Sequence, residues 1–337
     1  MRRGIKMKKK KLKLLGPAAI FIAILIWAHP VVWADQQSGA AVTASRAFKL
    51  SGYAQAEYTA QDVGLDGFSI HRARLTLSGD ITNKIRFKFQ VDLTKSPLLL
   101  DAAVEVAFHE AASLRVGQFK VPFGMESLTS SSDLDTIDRS QAVSKLAPGF
   151  DLGVSGRDIG ALLFGKISIL EYSLGVFNGA GINKTDTNND KDFAGRVVIR
   201  PFSFLSLGAS YYDGSYSASA SAPPMVRDRI GFEGAVVYGA FSLKGEFLQA
   251  EDNDTTKRGW YLQAGYFFLP KTLQGIVKFD SYDPDAAFAA NRTDIWLFGL
   301  NWILTEKSKL QVNFDLTKDE SGHTTNKALL VQLQAGF

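Results

Sequence analysis

Residues 84–95 read Lys84-Ile-Arg-Phe-Lys-Phe-Gln-Val-Asp-Leu-Thr-Lys95, and polar and apolar side chains alternate without interruption from Lys84 to Thr94. Successive side chains of a β-strand point to opposite faces, so this pattern predicts a strand with one apolar and one charged face. The run also reaches the roughly 9 to 11 residues that a tilted strand needs to cross a bilayer. Strands of a soluble β-sandwich are shorter, so the stretch favours a membrane-spanning strand.

The same period of two recurs along the chain from residue 47 onward. The predicted strands are 47–60, 67–82, 84–95, 100–110, 112–121, 156–166, 169–180, 192–201, 203–214, 227–238, 240–250, 257–269, 272–283, 291–304, 307–318 and 325–337. Short connections alternate with longer polar ones, as in bacterial outer-membrane barrels, whose strand number is even. The sequence therefore predicts an all-β protein, a transmembrane antiparallel β-barrel of about 16 strands spanning 47–337.

One connection, residues 122–156, is too long for an ordinary loop. It carries apolar residues such as Phe123, Leu134 and Leu146 among Ser and Asp, enough to pack against another surface. We expect this segment to fold into the lumen and narrow it. The alternative is a loop that lies over the rim or at a subunit contact.

The final predicted strand ends on Phe337, with Leu329, Val331, Leu333 and Ala335 on the same face. A terminal apolar strand suits pairing with the first strand, which closes the barrel and removes both sheet edges. This strand is also where we expect the barrel-assembly machinery to bind.

Residues 1–34 form a basic stretch, an apolar run from Leu14 to Ala28 and a small-residue end at Ala34, which predicts a cleaved signal peptide. A membrane-anchoring helix over 14–33 is the alternative, although Pro30 interrupts it. This segment holds eight Lys/Arg and no Asp/Glu, so the remainder carries 30 basic and 34 acidic residues. The high isoelectric point thus belongs to the leader, and nucleic-acid binding loses its main support. Residues 35–46 are expected to be a short N-terminal segment.

Catalytic and metal-binding patterns are not evident. The chain has no cysteine, which excludes thiolate metal sites and cysteine nucleophiles, and its four histidines are scattered. Neither a nucleophile elbow, a zinc-binding helix motif nor a phosphate loop occurs. We therefore expect neither an enzyme nor a cofactor.

Several stretches resemble one family of outer-membrane proteins. Arg115-Val-Gly-Gln-Phe-Lys-Val-Pro-Phe-Gly-Met-Glu126, then Asp138-Arg-Ser140 and Arg157-Asp-Ile-Gly160, are similar to the phosphate-selective porin O and P family, and most of the chain beyond the leader shares the likeness. The resemblance implies a sixteen-stranded homotrimeric porin in the outer membrane of a Gram-negative cell, in contact with lipid and lipopolysaccharide. It also implies an inward-folded third loop and basic residues along the passage, with small anions such as phosphate as solutes.

Basic side chains on the predicted inward faces are the candidate anion ligands. Neighbouring strands bring together one stripe, and the long segment adds one further cation: Arg72, Arg74, Arg86, Lys88, Arg115 and Arg139. Arginine binds phosphate with two parallel hydrogen bonds, and a pore needs such sites to be weak and repeated. The alternative is that these bases neutralise carboxylates such as Asp92 and Glu105 in a wide, weakly selective channel.

The long segment is itself acidic. The carboxylates expected to face the constriction are Glu126, Asp133, Asp135 and Asp138. They leave anion selectivity open. Two other functions stay possible at this point: an outer-membrane enzyme or adhesin that uses the barrel as a scaffold, and a soluble periplasmic β-protein.

Overall fold

The structure is a computed structural model that describes residues 48–153, 155–219, 221–320 and 325–337. The predicted leader (1–34) and the N-terminal segment (35–46) lie outside the described residues. The described chain forms a closed antiparallel barrel of sixteen long strands with one additional two-residue strand, so the predicted fold class is confirmed.

The strands are β1 Lys49–Gln61, β2 Gly67–Asp80, β3 Ile85–Asp92, β4 Leu99–His109, β5 Ala112–Lys120, β6 Arg157–Ile167, β7 Leu170–Phe177, β8 Asp192–Phe202, β9 Leu205–Asp213, β10 Ser215–Tyr216, β11 Met225–Tyr238, β12 Phe241–Asp252, β13 Thr255–Leu269, β14 Leu273–Asp283, β15 Thr293–Ile303, β16 Lys309–Asp319 and β17 Thr325–Gly336. Each long strand overlaps one predicted strand. The short β10 was not predicted, because two residues carry no measurable periodicity.

The barrel closes where the last strand meets the first. β17 pairs with β1 in antiparallel register, with Tyr53 opposite Gly336 and Gln55 opposite Gln334. Phe337 adds two backbone hydrogen bonds with Gly52, so the ladder continues to the last residue. Closure leaves no unpaired edge along the spanning strands.

The strands expose apolar side chains and bury polar ones, the reverse of the distribution in a water-soluble protein. Large apolar side chains such as Phe89, Trp296 and Trp302 are about half exposed on the outer face, whereas Gln55, Gln311 and Gln332 are buried on the inner face. An apolar outer wall around a polar interior is the pattern of a barrel that faces lipid. No helix within the described ranges is long and apolar enough to cross a membrane.

Connections on one rim are short, for example 110–111, 168–169 and 203–204. Those on the other rim are longer, such as 178–191 between β7 and β8. The longest lies between β5 and β6. We call residues 122–156 the long segment; it contains two short helices, α1 (Met125–Leu128) and α2 (Gln141–Leu146).

Candidate functional site

The long segment is fastened to inward-facing side chains of β11–β14 by its own carboxylates. Glu126 accepts a hydrogen bond from Lys278 Nζ at 2.7 Å, and Asp135 accepts one from Lys244 Nζ at 2.6 Å. Asp151, near the end of the segment, pairs with the guanidinium groups of both Arg227 and Arg229. Each of these acidic residues is therefore balanced by a basic residue of the same part of the wall.

Apolar contacts add to these ion pairs. Ala142, Val143 and Leu146 of α2 are fully buried, and they belong to one cluster with Leu248 and Tyr261 of β12 and β13. Fully burying a side chain such as leucine contributes about 1.5 to 3 kcal/mol. Hydrophobic packing therefore holds α2 against β12–β14.

The opposite face of the long segment borders two cavities. The larger one, of about 490 Å³, lies between the segment and strands β2–β6, on the side of the short turns. The smaller one, of about 290 Å³, lies toward the longer loops. Arg74, Lys120 and Arg157 line both cavities and so mark their junction.

The smaller cavity is strongly basic. Among the described residues, no carboxylate lines it, whereas six Lys and Arg side chains do: Arg72, Arg74, Lys95, Lys120, Arg139 and Arg157. Charges of one sign in a cleft with low-dielectric walls raise the local concentration of the opposite ion. The cavity is thus suited to attract anions.

Backbone carbonyls of the long segment hold two of these cations in place. Lys120 Nζ donates to the carbonyl oxygens of Ser127 and Thr129 at 2.8 and 2.7 Å. Arg139 donates to the carbonyls of Glu126 and Thr129. These carbonyl groups carry no full negative charge, so they orient Lys120 and Arg139 without forming an ion pair with either. The other two cations of the junction have carboxylate partners: Arg74 pairs with Asp92 and Arg157 with Asp101.

The hydroxyl group of Ser131 connects Arg139 with Arg74. Arg74 Nη1 and Arg139 Nη1 each donate to Ser131 Oγ at 3.2 Å. Arg74 also binds the buried Asp92 through Nε at 2.9 Å. One face of the Arg74 guanidinium is therefore fixed by Asp92, while its other end reaches the junction.

The ionisation of the segment's own groups follows from these contacts. Burial alone would raise the pKa of Glu126, but the Lys278 ammonium and the hydrogen bonds from Ser140 bring it below its ordinary value. Burial lowers the pKa of Arg139 to about 10, with Arg72 and Arg74 acting in the same direction against Glu126. At neutral pH, Glu126 is therefore anionic and Arg139 cationic.

The larger cavity has mixed charge. Lys88 Nζ lies 2.7 Å from Asp101, and Arg115 Nη2 lies 2.9 Å from Glu105. Arg86 pairs with Asp80 at the exposed rim. The stripe predicted from the sequence thus divides into two parts. Toward the short turns the partners Asp101 and Glu105 line the cavity, whereas toward the loops the partners Asp92 and Asp138 lie outside the cavity lining.

The remaining predicted acidic residues lie apart from the junction. Asp133 is exposed and accepts a hydrogen bond from Ser132. Asp138 is 57 % exposed, with Arg72 Nη2 3.7 Å away and His71 Nε2 3.4 Å away. Neither carboxylate lines the two large cavities.

Three cations of the smaller cavity, Lys95, Lys120 and Arg157, were not among the predicted anion ligands. Strict alternation from Arg115 assigns Lys120 to the outer face, but the strand is irregular at Gly117, whose φ is 125°. Beyond that point Gln118, Phe119 and Lys120 are all at least partly buried. The available signal was the family-like motif itself, which contains Lys120.

Comparisons with known structures find the same architecture. The chain matches an anion-selective porin from Comamonas acidovorans (TM-score 0.67, 13 % identity, 86 % of this chain and 99 % of that one). It also matches the outer membrane channel DcaP of Acinetobacter baumannii (0.65, 11 %, 89 % and 100 %) and the in-vitro folded OmpT of Vibrio cholerae in its trimer form (0.59, 10 %, 86 % and 99 %). At these identities the likeness establishes the fold alone.

Comparison with curated protein sequences gives no match. The family model described as phosphate-selective porin O and P, by contrast, matches residues 49–226 and 218–336, nearly the whole described barrel. The chain is therefore an outer-membrane porin that belongs to the phosphate-selective porin O and P family.

Proposed function

We propose that the protein is a diffusion porin that prefers small anions, phosphate among them, and that these ions pass between the long segment and strands β2–β6. The observation that carries this proposal is the smaller cavity, where six cationic side chains are present and no described carboxylate contributes to the lining. The smaller cavity shares Arg74, Lys120 and Arg157 with the larger one, so the proposed route runs from the loop side to the side of the short turns.

The route requires that the long segment lie within the lumen and form the constriction. Its contacts support this position: Ser131 meets Arg74 of β2, Asp135 meets Lys244 of β12, and Leu134 O accepts from Lys309 of β16. These strands are distributed around the barrel. Contacts with inner-face side chains on all three strands support a lumenal position over one at the rim.

Anion passage follows from the arrangement of the fixed charges. A solute anion that leaves water loses hydration, and successive Arg and Lys side chains replace that hydration with hydrogen bonds. Because each of several sites along the wall binds the anion only weakly, the anion dissociates from one site and passes to the next. The Asp101 and Glu105 carboxylates beside Lys88 and Arg115 weaken binding in the larger cavity and favour release.

A general, weakly selective porin is the second candidate. The same ion pairs support it, because Lys88 and Arg115 already have carboxylate partners and contribute less net positive charge. In that case selectivity depends on the cations of the smaller cavity alone.

The assembly and export of the protein belong to the same proposal. The OmpT structure in its trimer form supports a homotrimer. Removal of residues 1–34 during export, contact of the outer wall with lipid and lipopolysaccharide, and recognition of the strand ending at Phe337 by the barrel-assembly machinery complete it.

Phosphate block tests the solute class. Purified protein is reconstituted in planar bilayers in KCl, and inorganic phosphate is added at constant ionic strength. We expect chloride current to fall in a saturable manner, because phosphate occupies the cationic junction for longer than chloride does. An anion-selective current that phosphate leaves unchanged would restrict the protein to a general anion pore.

A further inference from the structure

Glu246 of β12 is a buried carboxylate that lines neither large cavity, yet it binds the long segment directly. Its two oxygens accept hydrogen bonds from the backbone amides of Met125 and Glu126 at 2.8 and 2.6 Å. Tyr261 OH donates to the same carboxylate at 2.8 Å. Glu246 therefore satisfies the first two amide groups of α1, which have no acceptor within the helix.

The residue before α1 is shaped to let this carboxylate approach. Gly124 has a φ of 69°, and a Cβ atom added there would lie 2.6 Å from Glu246 Oε2. A side chain at this position would therefore be strained and would also displace the carboxylate. Gly124 is the last residue of the stretch 117–124, the most specific part of the family resemblance.

The other end of the same turn carries the carbonyl groups that orient the cations of the junction. Glu126 O accepts from Arg139, and Ser127 O and Thr129 O accept from Lys120. One helical turn thus connects Glu246 on one side of the segment with Lys120 and Arg139 on the other. Any displacement of the amide end moves the carbonyl end as well, because the turn is only four residues long.

We infer that Glu246 is a positioning residue for ion selectivity: by fixing the amide end of α1 it sets where the segment's carbonyls hold Lys120 and Arg139, and hence the width and charge of the passage. This inference rests on the proposed function. Glu246 touches no solute in this arrangement. Its influence passes through the segment.

The inference predicts that removing Glu246 weakens anion preference, whereas the loss of its negative charge alone would strengthen that preference. Removing a carboxylate from the barrel interior makes the interior more positive, which by electrostatics alone strengthens anion preference. If Glu246 holds the segment, its removal releases α1 from β12, and the segment is free to move toward the route along β2–β6. That movement narrows the passage and misplaces the carbonyls that hold Lys120 and Arg139, so conductance and anion preference both fall.

The test compares two variants that change different residues but share the predicted displacement. Glu246→Gln replaces one carboxylate oxygen with an amide NH₂ group, which cannot accept the hydrogen bond from the backbone N–H of α1 that it faces. Gly124→Ala keeps the Glu246 side chain and pushes its carboxylate away. Glu233→Gln is the matched control: Glu233 lies opposite Glu246 on β11, pairs with Arg196 and makes no hydrogen bond to the described residues of the long segment.

Single-channel conductance and the reversal potential under a KCl gradient are measured for all four proteins, after heat-modifiable mobility on gels has established folding. We expect both Glu246→Gln and Gly124→Ala to lower conductance by roughly half and to bring the reversal potential toward zero, with Glu233→Gln unchanged or more anion-selective. If Glu246→Gln behaves like Glu233→Gln, or if Gly124→Ala matches wild type, the inference is wrong. A cation-selective wild type would instead overturn the proposed function, while the conductance comparison would still test the role of Glu246.

Discussion

Lys120 is the residue best placed to test how one side chain contributes to the charge of the proposed passage. It lies at the junction of the two cavities, and its ammonium group donates hydrogen bonds to the backbone carbonyls of Ser127 and Thr129. Arg74 is a less suitable position for substitution, because its loss would leave the buried Asp92 without its partner. Lys120 is therefore the cation whose removal reports most directly on the charge of the passage.

Lys120→Gln is expected to weaken anion preference. A unit charge changes the energy of an ion 4 Å away by about 1 kcal/mol in bulk water, which is about fivefold in the population of that ion. The change has opposite signs for chloride and potassium, so the chloride-to-potassium permeability ratio should fall by at least that factor. Lys84→Gln, in an exposed short turn, removes the same charge outside both cavities and should leave the ratio near that of wild type. Equal effects of the two substitutions in reversal-potential measurements would show that the overall charge, and not the junction, sets selectivity.

In the proposed function the long segment is the element that narrows the barrel and makes it selective. Its length and apolar residues predicted that it would pack against something, and that was correct. The sequence placed its acidic residues at the constriction without indicating their partners. Two of the predicted residues, Glu126 and Asp135, bind cations on the far wall, and so does Asp151, which was not predicted. The partners could not be predicted, because contacts between residues more than 70 positions apart depend on the closed barrel and leave no periodic signal in the chain.

The close packing of α2 against β13 depends on Gly259, which has no side chain. A Cβ atom added at Gly259 would lie 2.8 Å from Ala142 Cα, so Gly259→Ala must displace the helix, at a cost of about 1 to 3 kcal/mol. The chain has no cysteine, so Val143→Cys supplies a single buried thiol on α2. We expect Gly259→Ala to raise the rate at which a small charged thiol reagent labels Cys at 143 by roughly tenfold or more, since labelling follows the opened population.

Gly234→Ala is the control for this experiment. A Cβ atom at Gly234 would meet its nearest neighbour at 3.5 Å, which is ordinary contact. Labelling should then stay at the rate of the Val143→Cys parent. Unchanged labelling in the Gly259→Ala protein would mean that α2 is not held by this contact.

The barrel as a whole was predicted from the two-residue period, from the alternating loop lengths and from the terminal Phe337. These signals are local, and all sixteen long strands follow them. The inner surface was predicted less completely, because irregular positions such as Gly117 and the register shift after Gln55 break the alternation that assigns a side chain to a face. His71 and Arg72, adjacent in the chain, accordingly both contact inward-facing partners.

Charge is distributed unevenly across the inside of the whole molecule. The carboxylates of the long segment that bind the wall face β11–β14, and the cations without lining carboxylates face β2–β6. This separation concentrates lining cations around the smaller cavity on one side of the barrel, although the described chain carries many acidic residues. Net charge alone would have given no indication of it.

The reversal potential of the wild-type protein in a planar bilayer under a KCl gradient tests the central claim most directly. We predict stable single-channel currents whose reversal potential has the sign for chloride as the more permeant ion, with the preference falling as salt concentration rises and screening increases. A reversal potential of the sign for potassium, or the lack of any conductance from correctly folded protein, would contradict an anion-preferring passage.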